Sequence, residues 1–159
     1  MILHGLAPVI DQRARVLILG SFPSTASLAA QQYYAHPQNQ FWRILGAVIE
    51  QPLQEMDYAA RIATVQAAGI AIWDVYASCE REGSLDAAIR DARPNDLAML
   101  QKLALALRRI CFNGRMAARR IREVEALGCE ALVLPSTSPA HAGMSFVEKL
   151  ARWRAALQP

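Results

Sequence analysis

Arg15-Val16-Leu17-Ile18-Leu19-Gly20 is a short apolar run closed by glycine, and Ser21-Phe22-Pro23-Ser24 follows it at once. An unbroken apolar stretch of this length, rich in β-branched residues and ended by Gly and Pro, reads as a buried strand. Three later stretches have the same character: Gly69-Ile70-Ala71-Ile72-Trp73-Asp74-Val75-Tyr76, Arg109-Ile110-Cys111-Phe112-Asn113-Gly114 and Ala131-Leu132-Val133-Leu134-Pro135. Strands without polar alternation belong to parallel sheets covered on both faces.

Helical spacing separates these strands. Phe41, Ile44, Leu45 and Val48 fall on one helix face, with Pro37 just upstream suiting a helix entry. Tyr58, Ile62 and Val65 predict a second helix, ended by Gly69. Asn95 reads as an N-cap before Leu97, Leu100, Leu103 and Leu107. Met116, Arg120, Val124 and Leu127 form a helix stopped by Gly128, and Phe146, Leu150, Trp153 and Leu157 form the last, capped by Ser145. Ser78 to Pro94 reads as irregular, with a short helix from Ser84 to Arg90. Alternating strands and helices predict an α/β sandwich with a mainly parallel sheet. No repeat or long linker divides the chain, so residues 1–159 are expected to form one domain.

The chain has 159 residues, enough to bury a full core, with 53% hydrophobic and 19% charged residues, as in a globular protein. No apolar run is long enough for a membrane span. Met1-Ile2-Leu3-His4 does not begin a signal peptide, so the expected compartment is the cytoplasm. Cys79, Cys111 and Cys129 are scattered, without CxxC or histidine-rich ligand spacing, and read as buried thiols. An iron–sulfur cluster would need four thiolates. Net charge is only +3, but Arg108, Arg109, Arg115, Arg119, Arg120 and Arg122 are concentrated in one stretch. They suit phosphate neutralisation, or a solvated helix face paired with Glu123, Glu125 and Glu130.

Ligands of open α/β sheets bind at the carboxyl ends of the strands. Those ends carry Ser21-Phe22-Pro23-Ser24, Asp74-Val75-Tyr76, Asn113-Gly114 and Pro135-Ser136-Thr137-Ser138-Pro139-Ala140-His141. The segment Tyr33-Tyr34-Ala35-His36-Pro37-Gln38-Asn39-Gln40-Phe41-Trp42 follows the first of them. Aromatic faces stack on bases at about 1–3 kcal/mol each. An asparagine amide matches a base edge, with donor and acceptor side by side. The combination suits a pocket for a base flipped out of DNA.

Gly20-Ser21-Phe22-Pro23-Ser24, the Tyr33–Trp42 segment, Phe112-Asn113-Gly114 and Leu134–His141 together resemble the hypoxanthine-DNA glycosylase branch of the uracil-DNA glycosylase superfamily. The resemblance runs from Val16 to about Trp153. It implies a three-layer α/β/α sandwich around a four-stranded parallel sheet. It also implies hydrolytic removal of hypoxanthine from double- or single-stranded DNA containing the deaminated base, leaving an abasic site. In the superfamily's first motif, Phe22 stands where a water-activating acid is usual. The resemblance assigns a catalytic role to Asn39. Ser21, Phe22, Pro23, Tyr34, Phe41 and Asn113 are expected to form the base pocket, with Phe22 stacking on the base. Ser24, Ser136, Thr137, Ser138 and His141 are expected at the DNA backbone and wedge.

The chemistry asks for no metal or other cofactor. Extruding a base costs a few kcal/mol, least for a mispaired one. Breaking the glycosidic bond leaves an oxocarbenium-like sugar and an anionic base, which preorganised dipoles stabilise. Asn39 would then orient the water or stabilise the leaving base, or else cap the next helix. A strand-cleaving lyase needs an amine nucleophile, and the chain has only Lys102 and Lys149. A monofunctional enzyme is therefore expected, and a monomer is expected as its state. Uracil as substrate, a nucleic-acid-binding module without turnover, and a Ser138–His141 hydrolase are the alternatives. The last lacks a nucleophile-elbow motif and an evident acid.

Overall fold

A computed structural model describes residues 1–139 and 143–158. Four strands form a parallel sheet: β2 (Val16–Gly20), β3 (Ile70–Asp74), β6 (Arg109–Asn113) and β7 (Glu130–Leu134), in the order β3-β2-β6-β7. The apolar runs explain the arrangement. Leu17, Ile18 and Leu19 are wholly buried in the interior strand β2, as are Ile72 and Phe112 in its neighbours. Side chains point to both faces of a strand, so both faces must be covered.

Helices provide the cover. Between β2 and β3 lie α1 (Thr25–Ala30), α2 (Phe41–Ile49) and α3 (Tyr58–Ala67). Between β6 and β7 lies α5 (Ile121–Ala126), and α6 (Phe146–Leu157) follows β7. The chain steps from β2 to one side of the sheet and from β6 to the other. Right-handed crossovers in opposite directions place their helices on opposite faces, giving three layers. The strand order reverses between β2 and β6, and a crevice opens at such a switch point.

Several helix ends follow their sequence signals. Asp57 accepts from the Ala60 N–H (2.8 Å) ahead of α3, and Ser145 accepts from the Glu148 N–H (3.2 Å) ahead of α6. Gly128 takes φ +83° after α5, a left-handed value that favours glycine.

Other expectations are corrected. The run 69–76 is not one strand. It ends β3 at Asp74 and begins β4 (Tyr76–Glu80), which pairs antiparallel with β1 (Leu3–His4) and with β5 (Arg90–Pro94) in a second, three-stranded sheet. The Val75 and Tyr76 N–H groups donate to the Gly20 and Ser21 carbonyls (2.8 and 3.1 Å), holding the crossing point against β2. Residues 78–94 therefore form a hairpin with slipped register, and the expected helix over 84–90 shrinks to a 3-10 turn at Asp86–Ala88. Asn95 caps no helix. Its side-chain amide donates to the Asp74 carbonyl (2.8 Å), and α4 (Ala98–Leu103) begins after Leu97 and ends before Leu107. The six-residue α1, capped by Ser24, was not expected at all.

Among the described residues no helix is long and apolar enough to cross a membrane. All three cysteines are free and buried, and burial pushes the Cys111 thiol up to about 12.

Candidate active site

A cavity of about 670 Å³ lies at the carboxyl end of the parallel sheet, between the loops after β2 and β6. It is the crevice that the reversal of strand order predicts. Gly20 to Ser24, Tyr34, Asn39, Asp74, Asn113 and Ser136 to Ser138 all line it. Phe22 and Asn39 thus face one space, although 17 positions separate them in the sequence.

The loop after β2 is held from the far side of the cavity. Ser21 Oγ donates to Asp86 Oδ1 (2.6 Å). Arg81 donates to the Pro23 carbonyl (2.5 Å) and to the Gly83 carbonyl (2.8 Å), with its guanidinium 5.3 Å from the centre of the Phe22 ring. Phe22 is therefore braced where it lines the cavity, and it is 7% exposed. Ser24 also lines the cavity, but its Oγ accepts from the Ser27 N–H (3.1 Å) as the α1 cap.

Asn39 precedes α2. Its Oδ1 accepts from the Phe41 N–H (2.9 Å), so this oxygen closes the helix entry. The Nδ2 group has no hydrogen-bond partner among the described residues. With the acceptor tied to the backbone, what Asn39 offers the cavity is a pair of N–H donors. Capping and chemistry are compatible because they use opposite ends of one amide.

Tyr34 stacks on Phe41, with ring centres 3.8 Å apart and planes at 18°. Phe41 is 0% exposed and does not line the cavity. This corrects its expected place in the pocket: it is the ring beneath, and Tyr34 is the ring above. Trp42 and Trp153 close on Phe41 edge-on at 4.9 and 6.0 Å, so the stack rests on core. Tyr34 itself adopts φ +53°, rare outside glycine. Burial, then the nearby Asp74 charge, raises its hydroxyl well above the usual tyrosine range, so it stays a neutral donor and acceptor.

Asn113 ends β6 with its amide fully occupied. Nδ2 donates to the Tyr34 hydroxyl (3.2 Å) and to Thr137 Oγ1 (3.0 Å), and Oδ1 accepts from the Thr137 N–H (3.0 Å). Both amide hydrogens are used, so Asn113 chiefly fixes the wall and does not offer a free base-reading edge. Thr137 is 0% exposed, and its carbonyl accepts from the Gln40 N–H (3.0 Å). It pins the loop after β7 to the entry of α2, in place of the expected contact with a phosphate. Ser136 Oγ accepts from the Ser138 N–H (3.1 Å). Gly114, at φ +94°, lets Ser136 approach: a β-carbon there would stand 3.1 Å from Ser136 Cβ. His141 lies outside the described residues.

Sequence reasoning gave no role to Asp74, which is 4% exposed and lines the cavity. It is the register partner of Gly20 across β2 and β3. Its Oδ2 has no hydrogen-bond partner among the described residues. Burial pushes the carboxyl up to about 7. The Asp86 charge adds to the rise and the Arg81 charge opposes it. The signal was present in the sequence as a carboxylate ending an all-apolar strand at the ligand edge. Arg115 and Arg152 also reach the cavity lining, an apt place for phosphate partners. Arg109 and Arg120, by contrast, pair with Glu130 and Glu123, as a solvated face would. Lys149 is not in the lining. It is 2% exposed, and its Nζ donates to Gln40 Oε1 (3.3 Å).

The family model of the uracil DNA glycosylase superfamily matches residues 7–158. The chain belongs to the uracil DNA glycosylase superfamily. Within it, the chain is 43% identical over 141 residues to a hypoxanthine DNA glycosylase of Methanosarcina acetivorans, covering 89% of each. It is 38% identical over 138 residues to one of Methanosarcina barkeri, covering 87% of each. A solution NMR structure from Methanosarcina acetivorans, assigned provisionally as a uracil DNA glycosylase, superposes with TM-score 0.90 at 40% identity. The match covers 99% of this chain and 97% of that one. The loop after β2 brings Phe22 to the cavity, and the buried carboxyl there comes from the end of β3.

Proposed function

We propose that this chain is a DNA glycosylase that excises hypoxanthine by hydrolysis and leaves an abasic site. The observation that carries the reading is one cavity combining the Phe22 ring, the Tyr34 hydroxyl and the Asn39 amide at the switch point of the sheet. The substrate is supported by the two relatives named hypoxanthine DNA glycosylase, which match along most of the chain.

In the proposed mechanism the extruded base lies against Phe22. The Asn39 N–H groups donate to it and gain strength as negative charge grows on the departing ring. A preorganised donor of this type contributes about 10²–10³ in rate. The sugar cation is stabilised by the phosphates of the DNA itself, and water adds at C1′. No carboxylate stands at position 22 to activate that water, so the reaction leans on departure of the base. Arg115 and Arg152, with Ser136 and Ser138, line the cavity and are the groups offered to the DNA backbone in this mechanism.

The test uses duplexes carrying inosine, uracil or xanthine, incubated with excess enzyme and then treated with alkali. Cleavage at inosine supports the proposal. Cleavage at uracil alone moves the substrate to that base. Tight binding without cleavage at any of them makes the chain a binding module and overturns the enzymatic reading.

A further inference from the structure

We propose that Asp74 is the general acid of base departure, donating its carboxyl proton to a ring nitrogen of the purine as the glycosidic bond breaks. The inference rests on the purine-excising reading above. It follows from the placement of one side chain. Two acidic residues line the cavity among the described residues, Asp74 and Asp86. Asp86 is solvent-exposed and accepts from Ser21. Asp74 is buried, and one of its oxygens has no partner. Leaving such an oxygen unmatched is unfavourable, more so when it is charged. A ligand acceptor that takes a proton from the carboxyl relieves that cost.

The surroundings favour the protonated acid. Asp86 faces Asp74 from the 3-10 turn and Arg81 from beyond β4, while Tyr33 and Tyr34 approach from the segment before α2. Burial outweighs the single cation, so the carboxyl holds its proton up to about pH 7. Asn95 donates to the Asp74 backbone carbonyl and fixes the strand end without using the carboxyl. Gly20 leaves the space the carboxyl occupies, since a β-carbon there would meet Asp74 Oδ1 at 2.5 Å.

The chemistry suits a purine. When the C1′–N9 bond breaks, its electron pair goes to the base. A proton passes from Asp74 to N7 or N3, so the base leaves neutral and Asp74 becomes a carboxylate. Water adds to C1′ and releases one proton, which restores the acid. Uracil, leaving through N1, has only carbonyl oxygens to receive the proton. The buried acid therefore favours hypoxanthine over uracil and compensates for the missing first-motif acid at Phe22.

Single-turnover excision of inosine as a function of pH tests this. For the wild type the rate should hold below about pH 7 and fall above it. Asp74→Asn keeps the shape and a donor but has no transferable proton. It should excise inosine about 10²–10⁴-fold more slowly and lose the fall at high pH. It should lose less on any uracil substrate the wild type accepts. A variant within about twofold of wild type, or one keeping the same fall at high pH, overturns the assignment. Should the variant not fold, the wild-type profile decides: a rate flat or rising through neutrality overturns it. If the wild type excises no inosine at any pH, the substrate reading fails first, so the two failures are distinguishable.

Discussion

Gly20 lies against Asp74 so closely that a β-carbon built on the glycine would stand 2.5 Å from Asp74 Oδ1 and 2.9 Å from the Tyr34 hydroxyl. The two residues are partners on adjacent parallel strands, and the missing side chain is what admits a carboxyl and a phenol together. Gly20→Ala should therefore push Asp74 and Tyr34 aside. Overpacking of this kind costs about 1–3 kcal/mol. Displacement of catalytic groups by about 1 Å costs on the order of 100-fold in rate. Urea unfolding and single-turnover excision of inosine report the two effects. An alanine variant as active as wild type would show that the crowding has no functional consequence.

Asn39 has two ends with two tasks, and two substitutions separate them. Asn39→Ala removes both the oxygen that accepts from the Phe41 N–H and the amide donors. It should lose about 0.5–2 kcal/mol of stability as a lost helix-end contact and about 10²–10³ in excision rate. Asn39→Asp keeps an acceptor for Phe41 but replaces the donors by a carboxylate oxygen. It should be close to wild type in thermal stability and as poor as alanine in excision, with DNA binding largely retained in both. Rapid excision by the aspartate variant would mean that the amide donors are not what the reaction uses.

The parallel sheet was legible because β2, β3, β6 and β7 are short, apolar and bounded by Gly, Asp or Pro, a pattern set by local composition. The convergence of loops at one edge followed from it. Distinctions that depend on distant partners were not legible. Phe41 and Tyr34 look alike in the sequence, and only their stacking order shows that one is core and the other lines the cavity. Thr137 reads as an exposed loop hydroxyl until Asn113 and Gln40 are seen to enclose it. The run through Val75 fits a single strand equally well, and the exit to the second sheet is decided by pairing with Leu3 and His4, over 70 positions away. The burial of Asp74 is not legible in its own segment, because Gly20, its partner on β2, lies far from it in the chain.

Asp74 also makes stability depend on pH. Its carboxyl has a pKa of about 7 in the folded chain against 3.8 when unfolded, so the folded state holds the proton more tightly. The resulting stabilisation is complete below the unfolded value and is lost as pH rises through the folded one. Each unit of difference corresponds to about 1.4 kcal/mol, giving a loss of a few kcal/mol between acid and neutral pH. Asp74→Asn cannot titrate there, so its melting temperature should gain on the wild type as pH rises from about 4 to about 7. Parallel curves for the two proteins would show that the carboxyl is ionised throughout and would remove the acid from Asp74.

Lys149 bears on whether the enzyme cuts the strand it acts on. A lyase forms a Schiff base between an amine and the opened sugar. Lys149 is almost wholly buried on α6, bonded to Gln40, and outside the cavity lining, while Lys102 lies on α4 and also outside it. Borohydride added during turnover should therefore trap no covalent enzyme–DNA adduct, and strands should break only after alkali. A trapped adduct lost in Lys149→Arg would show that α6 moves to expose its amine.

Arg115 and Arg152 line the cavity from different elements, and the described residues place no carboxylate in ion-pair contact with either. Arg109 and Arg120 are instead engaged with Glu130 and Glu123. Only the first pair is therefore set to neutralise phosphates. Each phosphate contact contributes roughly 0.9 to the slope of log affinity against log salt. Arg115→Ala and Arg152→Ala should each reduce the slope by about that amount while leaving the excision rate of fully bound inosine duplex within a few-fold of wild type. Arg120→Ala should change neither. Equal slopes for all three variants and the wild type would mean that DNA approaches by another face, and the cavity would lose its claim to the substrate.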